Sequence, residues 1–477
     1  MQLKLKQVLS VVPAIAAIVA ISLLGGCASH GDSRPPAQPV SAPAVGVNPQ
    51  VQSVPLSATW WRDLGDEQLS RLIEQAIEGA PGLRIAQARI ARAQATVDDA
   101  VAAFDPTTAA SIDLNRQRFS ANGLVPSTIA GKVRNIGTVQ ASMAWEFDFF
   151  GRHRADLEAA LGTQRAAQAD AQAARALLAS QVAQGYVQLA RLIERRALLG
   201  ELLEQREQSR LLAAQRLRAG LDDARALRLA EAAVVEVRLQ QASLDELVGI
   251  GRNALAALTA QPPGALSRLA PRLLDGLRLA VPEDVPADLL GRRADLVAAR
   301  WRIEAATQDV TAMRAQFYPN INLNALVGVS SIGLDKMFRA GSLQGAFGPA
   351  IRLPLFEAGR LRASLRGREA DLDLAVESYN QALVEAVREV ADRLGALRAI
   401  AEQQRQQALV VSAAESVRTL AEARHRAGLG NRLTVLAAQG GVLAQRQHEI
   451  DLQARLIDTQ IVLIRALGGG YAGEAAR

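Results

Sequence analysis

Apolar and polar residues alternate along the stretch from Val139 to Phe149. The odd positions are all apolar: Val139, Ala141, Met143, Trp145, Phe147 and Phe149. The even positions are polar except for Ala144, and they include Gln140, Ser142, Glu146 and Asp148. A period of two predicts a strand with one apolar and one polar face, and about 9 to 11 such residues let a tilted strand cross a bilayer. We therefore predict a transmembrane strand here.

Three further segments alternate in the same way. We expect strands at about residues 107–118, 137–149, 319–329 and 342–354, paired as two hairpins with turn-rich loops. The apolar positions of the added strands are Ala110, Ile112, Leu114, Ile321, Leu323, Ala325, Val327, Val329, Leu343, Phe347, Ile351 and Leu353. Their polar positions include Ser111, Asp113, Asn115, Gln117, Asn320, Asn322 and Asn324. The chain is thus expected to contribute four membrane-length strands.

Each predicted strand pair leads into a very long helical run. No proline occurs between Gly151 and Pro262, and we expect a helix over 152–219, a turn at 220–223 and a return helix to about residue 260. The second pair leads into a helix over 361–427, a turn at 428–431 and a return to about residue 467. A helix of about 68 residues is a rod of about 100 Å. The pattern predicts two long antiparallel helical hairpins, at about 152–260 and 358–467.

The chain also repeats itself internally. Gly151-Arg152 matches Gly359-Arg360, and the segment 218–221 matches 426–429, both with the same spacing of 208 residues. A repeat of about two hundred residues is far longer than a solenoid unit and indicates two similar halves. We place the first half at 60–264 and the second at 265–477.

Four strands are too few to form a closed structure in lipid. Unpaired edge groups cost several kcal/mol each in a membrane, and known barrels begin at about eight strands. Several copies must therefore combine, two giving eight strands and three giving twelve. A barrel of three chains is wide enough to hold water, and the helical hairpins would extend the tube. Its polar inner face would include Asp113, Asn115, Gln140, Glu146, Asn322 and Asn324.

The amino terminus has the features of a secretory signal. Lys4 and Lys6 precede an apolar run, so residues 1–26 are expected to be removed. The residues before Cys27, the only cysteine, resemble the bacterial lipoprotein cleavage box, and Cys27 is the expected site of lipidation by palmitate-type acyl chains; an ordinary signal peptide is the alternative. Residues 27–59, with six prolines, are expected to form an extended tether. The formal charge of +6 is too small a surplus to indicate nucleic-acid binding.

Several short motifs together resemble a known family over Trp60 to Tyr471. They are Trp60-Trp61 with Leu64 and Leu69, Asp148-Phe149-Phe150-Gly151-Arg152, Leu353-Pro354-Leu355-Phe356 with Gly359-Arg360, Arg426 with Gly428-Leu429, and Ala466-Leu467-Gly468-Gly469-Gly470-Tyr471. They resemble the TolC-like outer-membrane efflux proteins, the outer membrane factors, in their NodT-type or RND-type lipoprotein branch. Each motif alone is weak, but their order and repetition are specific.

The resemblance implies a lipid-anchored homotrimer in the bacterial outer membrane, with a twelve-stranded β-barrel and a periplasmic α-helical tunnel. The implied partners are a periplasmic adaptor (membrane fusion protein), an inner-membrane transporter of the resistance-nodulation-division class, and outer-membrane lipid. Such a duct passively conducts drugs or other small molecules outward. Two alternatives remain open: a type I protein-secretion duct of the same fold, and a non-channel coiled-coil lipoprotein or adaptor, although adaptors normally have one helical hairpin.

The two helical turns supply the candidate functional residues. Gly220, Leu221, Gly428 and Leu429 are the candidates for docking the adaptor, because glycine permits a tight turn. The candidate tunnel-entrance charges are Arg218, Asp222, Asp223, Arg426 and Arg432, although they could equally be solvated tip residues. An entrance lined by arginine would favour anionic solutes.

Three positions depart from the family pattern. Ala294 stands where proline is usual, which we expect to loosen a helix start only. Ala437 stands where family members commonly carry an aspartate that helps close the periplasmic end, and Thr434 is not acidic either. Closure is therefore expected to depend on packing or on other polar contacts.

No constellation of residues indicates an enzyme, a cofactor or a metal. The four histidines are scattered, and His153, His425 and His448 lie in helical runs that we expect to be exposed. The glycine clusters at 249–251 and 468–470 lack the strand-then-helix context of a phosphate site. A single cysteine excludes a cysteine metal cluster. The energy for transport must therefore come from a partner.

Overall fold

The computed structural model describes residues 35–47, 56–274, 285–286, 289–353 and 357–471. The predicted signal, Cys27 and Pro354-Leu355-Phe356 lie outside these residues. The chain divides into two compact units. The first unit contains Ile90–Ala166 and Ala299–Ser378, and the second contains Val40–Arg89, Ala167–Ala298 and the chain from Tyr379 onward.

The first unit contains a four-stranded antiparallel sheet. Its strands are β1 (Thr107–Arg118), β2 (Val133–Phe147), β3 (Asn320–Ile332) and β4 (Leu343–Arg352), in the order β1-β2-β3-β4. Strand β2 begins earlier than the alternation suggested and ends at Phe147. It ends there because the Asp148 carboxylate accepts hydrogen bonds from the backbone N–H groups of the following helix.

Seven α-helices of more than four residues occur within the described residues. They are α1 (Glu67–Gly79), α2 (Pro81–Ala102), α3 (Arg152–Arg218), α4 (Ala224–Leu258), α5 (Ala294–Ala315), α6 (Ala358–Arg426) and α7 (Arg432–Ala466). Short helical turns occupy Ala42–Val45, Trp60–Leu64, Leu289–Arg292, Leu334–Lys336 and Ala340–Ser342. Pro81 is the first residue of α2 and does not break it, because proline lacks only an N–H that has no helical partner at that position. Within the described residues, no helix contains an apolar stretch long enough to cross a membrane.

Polar contacts define the order of the long helices in the second unit. Helix α3 contacts α7 through Gln184 and Asp458, whose Nε2 and Oδ1 atoms are 2.8 Å apart. On its other side α3 contacts α4, where Arg196 Nε donates to Asp245 at 2.9 Å. Helix α7 also contacts α6 through an ion pair. The four helices therefore lie in the order α4-α3-α7-α6.

Apolar side chains hold each unit together. In the second unit Trp60 and Trp61 meet edge to face, with ring centroids 5.8 Å apart, and pack with Val182, Tyr186 and Leu189 of α3. A second cluster there is built from Val47, Leu296, Leu383, Val390, Leu463 and their neighbours. The first unit has its own cluster of Val310, Met313, Phe317, Leu361 and Leu365. These clusters supply the burial that stabilises the helices.

The described part of the proline-rich segment, which we predicted to be an extended tether, is hydrogen-bonded to α6. In the first unit the Ala37 N–H donates to the Asp373 carboxylate at 2.8 Å. In the second unit the Val40 N–H donates to Asn380 Oδ1 at 2.8 Å, and Val47 is buried. Extended backbone makes no internal hydrogen bonds, so its N–H groups donate to side chains of α6 instead.

Candidate functional site

The sheet has one continuous apolar face. Ile112 stands opposite Val139, and Val139 opposite Val329, so the apolar positions of all strands coincide. The large and small apolar side chains of this face are Ala110, Ile112, Leu114, Val139, Ala141, Met143, Trp145, Phe147, Ile321, Leu323, Ala325, Val327, Val329, Leu343, Phe347 and Ile351. Ile112 is 71% exposed and Phe347 is 76% exposed. A contiguous apolar patch of this kind is suited to contact with lipid.

The opposite face of the sheet is polar. Asp113 stands opposite Thr138, whose hydroxyl lies 3.1 Å from that of Ser330. Gln344 Nε2 donates to Gln140 Oε1 at 3.3 Å. The predicted lumen residues Asp113, Asn115, Gln140, Glu146, Asn322 and Asn324 all lie on this face. The apolar exceptions on this face are Ala109, Ile136, Ala144, Leu326, Ile332, Ala346 and Ala350.

The junction between β2 and α3 is a capped turn. Asp148 accepts from the backbone N–H groups of His153 and Arg154 at 3.1 and 2.9 Å, and Gly151 takes a left-handed φ of +74°. The prediction that His153 is exposed is wrong, because the residue is only 5% exposed. It packs against Phe104, and its Nε2 lies 3.3 Å from Glu146 Oε1.

The two turns between long helices have the same backbone. Gly220 and Gly428 have φ values of +68° and +75°. The N–H of Leu221 donates to the Arg216 carbonyl at 2.9 Å, and the N–H of Leu429 donates to the Arg424 carbonyl at 2.9 Å. Each helix thus ends in a Schellman motif, in which a left-handed glycine closes the last carbonyls. Both leucines are exposed, Leu221 at 66% and Leu429 at 72%.

Comparisons with known proteins agree with this geometry. The family model "Outer membrane efflux protein" matches twice, at residues 72–261 and 285–469. The putative multidrug resistance outer membrane protein MdtQ of Escherichia coli K12 is 32% identical, and the alignment covers 96% of this chain and 98% of that protein. The chain belongs to the outer membrane efflux protein family.

Solved structures of similar proteins show the same fold. The outer membrane protein VceC of Vibrio cholerae is 34% identical with a TM-score of 0.80, over 87% of this chain and all of VceC (100%). The open state of the MtrE outer membrane channel of Neisseria gonorrhoeae is 26% identical with a TM-score of 0.74, over 93% and 98% of the two chains. As in its family, each chain contributes four strands to a trimeric outer-membrane barrel, which a periplasmic helical tunnel continues.

As an outer membrane efflux protein, the chain is an exit duct of an efflux pump. The family consists of channels, which points to a duct and not to an enzyme. Within the described part of the chain, histidine, cysteine, aspartate and glutamate side chains form no cluster of three or more that could hold a metal ion.

The charges near the first turn of this efflux protein have local partners. Arg216 Nε donates to Asp222 at 2.6 Å, and this hydrogen bond holds the pKa of the Asp222 carboxyl below its usual value. Asp223 caps α4 by accepting from the Ala226 N–H at 3.0 Å. Arg218 Nε reaches the Ala214 carbonyl at 3.4 Å.

The second turn uses different groups. Asn431 caps α7 by accepting from the Thr434 N–H at 2.9 Å. Arg432 Nη2 lies 3.4 Å from Gln208 Oε1 on α3. His425 Nδ1 lies 3.1 Å from the Gly430 carbonyl oxygen. No acidic residue of the second turn therefore corresponds to Asp222 and Asp223 of the first turn.

A buried glutamine lies close to the position of the missing aspartate. Gln205 on α3 is 2% exposed, and its Nε2 donates to the Leu436 carbonyl on α7 at 2.8 Å. Leu436 immediately precedes Ala437. Sequence reasoning missed Gln205 because nothing in its local pattern distinguishes it from other helical glutamines.

Sequence reasoning also missed a buried ion network in the second unit. Arg293 contacts Asp295 at 2.7 Å and Glu389 at 3.0 Å, and Arg465 also pairs with Glu389. Burial alone would lower the pKa of Arg293, but the two carboxylates hold it above its usual value. The only signal in the sequence was Ala294, the departure from the family proline beside Arg293.

Proposed function

We propose that a homotrimer of this chain is the outer-membrane component of a tripartite efflux pump, and that its two helical turns dock a periplasmic adaptor. A transporter of the resistance-nodulation-division class would supply the energy. The substrates would be drugs or other small molecules. The naming of relatives such as MdtQ as multidrug resistance proteins supports this substrate class, against the alternative of protein secretion.

The pair of exposed leucines carries the docking proposal. In a usual Schellman motif the residue after the glycine contacts an apolar residue of the last helical turn. Here the corresponding helix positions are Arg216 and Arg424, so Leu221 and Leu429 remain exposed on turns whose backbone is already ordered. A preordered apolar group loses little entropy on binding, and the apolar face of a partner helix fits such a group.

Substitution of these leucines tests the docking role. Leu221→Asp/Leu429→Asp should abolish export and crosslinking to the adaptor while trimers still reach the outer membrane. The matched control is Leu124→Asp, because Leu124 is fully exposed in the β1–β2 loop. Gly428→Trp should act like the double variant. Normal export by either variant would overturn the docking role.

Closure of the periplasmic end is proposed to depend on the polar links between α3 and α7. Gln205 to the Leu436 carbonyl and Arg432 to Gln208 connect these helices next to Ala437. Gln205→Leu removes the hydrogen bond and keeps most of the volume, and we expect a leakier resting channel. Conductance of purified trimers in planar bilayers measures this, and an unchanged resting current would contradict it.

Two further features of the duct are proposed from sequence. Arg218 and Arg426 near the turns would favour anionic solutes, and clear cation selectivity in bilayer currents would exclude this.

Cys27 is the proposed lipid attachment site. A Cys27→Ser variant should lose incorporation of labelled palmitate, and retained label would contradict lipidation at this residue.

A further inference from the structure

The outer end of the sheet carries a group of cations on the same face as the apolar residues. The strand ends that connect to helices lie together, because β1 starts at Thr107, β2 ends at Phe147, β3 starts at Asn320 and β4 ends at Arg352. The β1–β2 and β3–β4 loops therefore lie at the opposite end. Because the helical extension is periplasmic, these loops are at the cell-surface end of the barrel.

Strand β1 shows a sharp change along one face. Ile112 and Leu114 lie opposite Val139 and Gly137, and the next two positions of that face are Arg116 and Arg118. Alternate residues of a strand are about 7 Å apart, so the two guanidinium groups directly follow the apolar band. Both arginines are exposed.

The β3–β4 loop brings two more cations to this face. The Gly333 N–H donates to the carbonyl of Asn135, the β2 residue opposite Arg116, at 2.8 Å. A Cβ at Gly137 would lie 2.9 Å from both Leu334 Cδ2 and Met337 Sδ, so the loop packs directly on the apolar face. Lys336 and Arg339 flank the buried Met337, and Phe338 between them is 85% exposed.

These cations have few acidic neighbours. Residues 114–135 and 330–343, all of which the structure describes, contain one acid, Asp335, and six bases. The bases are Arg116, Arg118, Lys132, Arg134, Lys336 and Arg339. Within the described residues, none of the six lies within ion-pair distance of a carboxylate.

We propose that Arg116, Arg118, Lys336 and Arg339 form a binding surface for the phosphate groups of the phosphorylated glycolipid in the outer leaflet. The apolar band below them would contact the acyl chains, and exposed Phe338 would lie at the boundary. The four cations and the lipid phosphates have opposite charges. They also lie at the same height, because headgroup phosphates lie directly above the hydrocarbon and the cations directly above the apolar band. Basic groups near an anionic lipid surface are attracted to it. This inference depends on the proposed duct, whose apolar face contacts lipid.

The experiment titrates purified trimers with lipopolysaccharide and with its dephosphorylated derivative. At about 1 kcal/mol for each arginine near an anionic surface, Arg116→Gln/Arg118→Gln should weaken binding about thirtyfold. Arg116→Lys/Arg118→Lys should retain binding, because the charge is kept. The control is Arg134→Gln, which removes a charge from the polar face at the same end of the sheet and should leave binding unchanged.

Three results would overturn the inference. They are equal binding by Arg116→Gln/Arg118→Gln and the wild type, an equal loss in the polar-face control, and equal binding of the dephosphorylated glycolipid by the wild type. Insertion of the same trimers into lipid bilayers separates the two proposals. Trimers whose apolar face does not insert contradict the duct itself, whereas inserted trimers with charge-independent glycolipid binding contradict only the glycolipid surface.

Discussion

The two helical hairpins have almost the same dimensions but are fixed by different chemistry. The outgoing helices α3 and α6 have 67 and 69 residues, and the return helices α4 and α7 have 35 each. Both turns are closed by a left-handed glycine. The first turn adds the ion pair of Arg216 and Asp222, whereas the second uses only neutral acceptors and His425.

The far ends of the return helices differ in the opposite sense. Helix α4 ends in an apolar core, where Leu255 is fully buried. Helix α7 ends beside the buried network of Arg293, Glu389 and Arg465. The two halves therefore share what the backbone requires, glycine at a left-handed position and helices of set length. The polar partners around that backbone have diverged.

The largest expected effect tests the buried network at the end of α7. Arg293→Met leaves Asp295 without its cation and Glu389 with Arg465 alone, and losing a hydrogen bond to a charged group costs about 1.5–3 kcal/mol. Unfolding of the purified protein by guanidinium, followed by circular dichroism, measures the loss. The control is Arg388→Met, which removes an exposed pair with Glu385 on the same helix and should change nothing measurable. Equal stability of the two variants would show that the Arg293 network does not stabilise the end of α7, and hence that the two hairpins do not differ in this respect.

The next effect tests the backbone feature that the turns share. At Gly220 and Gly428 a Cβ would meet nothing within 4 Å, so the cost of alanine is the left-handed conformation alone, about 1–2 kcal/mol. Gly220→Ala and Gly428→Ala should therefore speed hydrogen exchange of the turn amides to a similar extent. The control is Gly395→Ala in α6, where a Cβ has open space and φ is not positive. Alanine favours the helix there, so exchange of the neighbouring α6 amides should slow slightly. A large difference between the two turns would break their equivalence.

A smaller effect concerns the two helix caps. Asp223→Ala and Asn431→Ala each remove one side-chain acceptor from the first turn of a helix, at a cost of about 1 kcal/mol. Exchange of the amides in the first turns of α4 and α7 should increase by similar factors. If only one helix start responds, the caps are not interchangeable.

The smallest effect is a pH dependence confined to the first turn. The hydrogen bond and charge of Arg216 lower the pKa of Asp222. A lowered pKa means that the stabilisation is complete above the ordinary carboxyl value of about 3.9 and is lost as pH falls through the folded value. In a His425→Gln background, which removes the imidazole of the second turn, spin labels at Leu221→Cys and Leu429→Cys should therefore be equally mobile between pH 5 and 7. Below about pH 4 only the label at the first turn should loosen, and Asp222→Asn should remove this difference.

Much of the fold could be predicted because its signals are local. Alternation from Val139 to Phe147 indicates a two-faced strand, and long runs without proline indicate long helices. The internal match of 218–221 with 426–429 indicates two turns of one kind. The docking and entrance roles of the turn residues stay predictions, because they depend on a partner that is not in the chain.

The amino-acid sequence by itself determined the four strands, the two hairpins and hence the family, because periodicity and glycine placement act through the backbone of neighbouring residues. Only the tertiary structure decided that His153 is buried, that Val40 bonds to Asn380, and that Arg293 meets Glu389. The last pair is 96 residues apart and Gln205 is 231 residues from Leu436. Which polar groups pair across such distances depends on how the helices pack, and no local pattern encodes it.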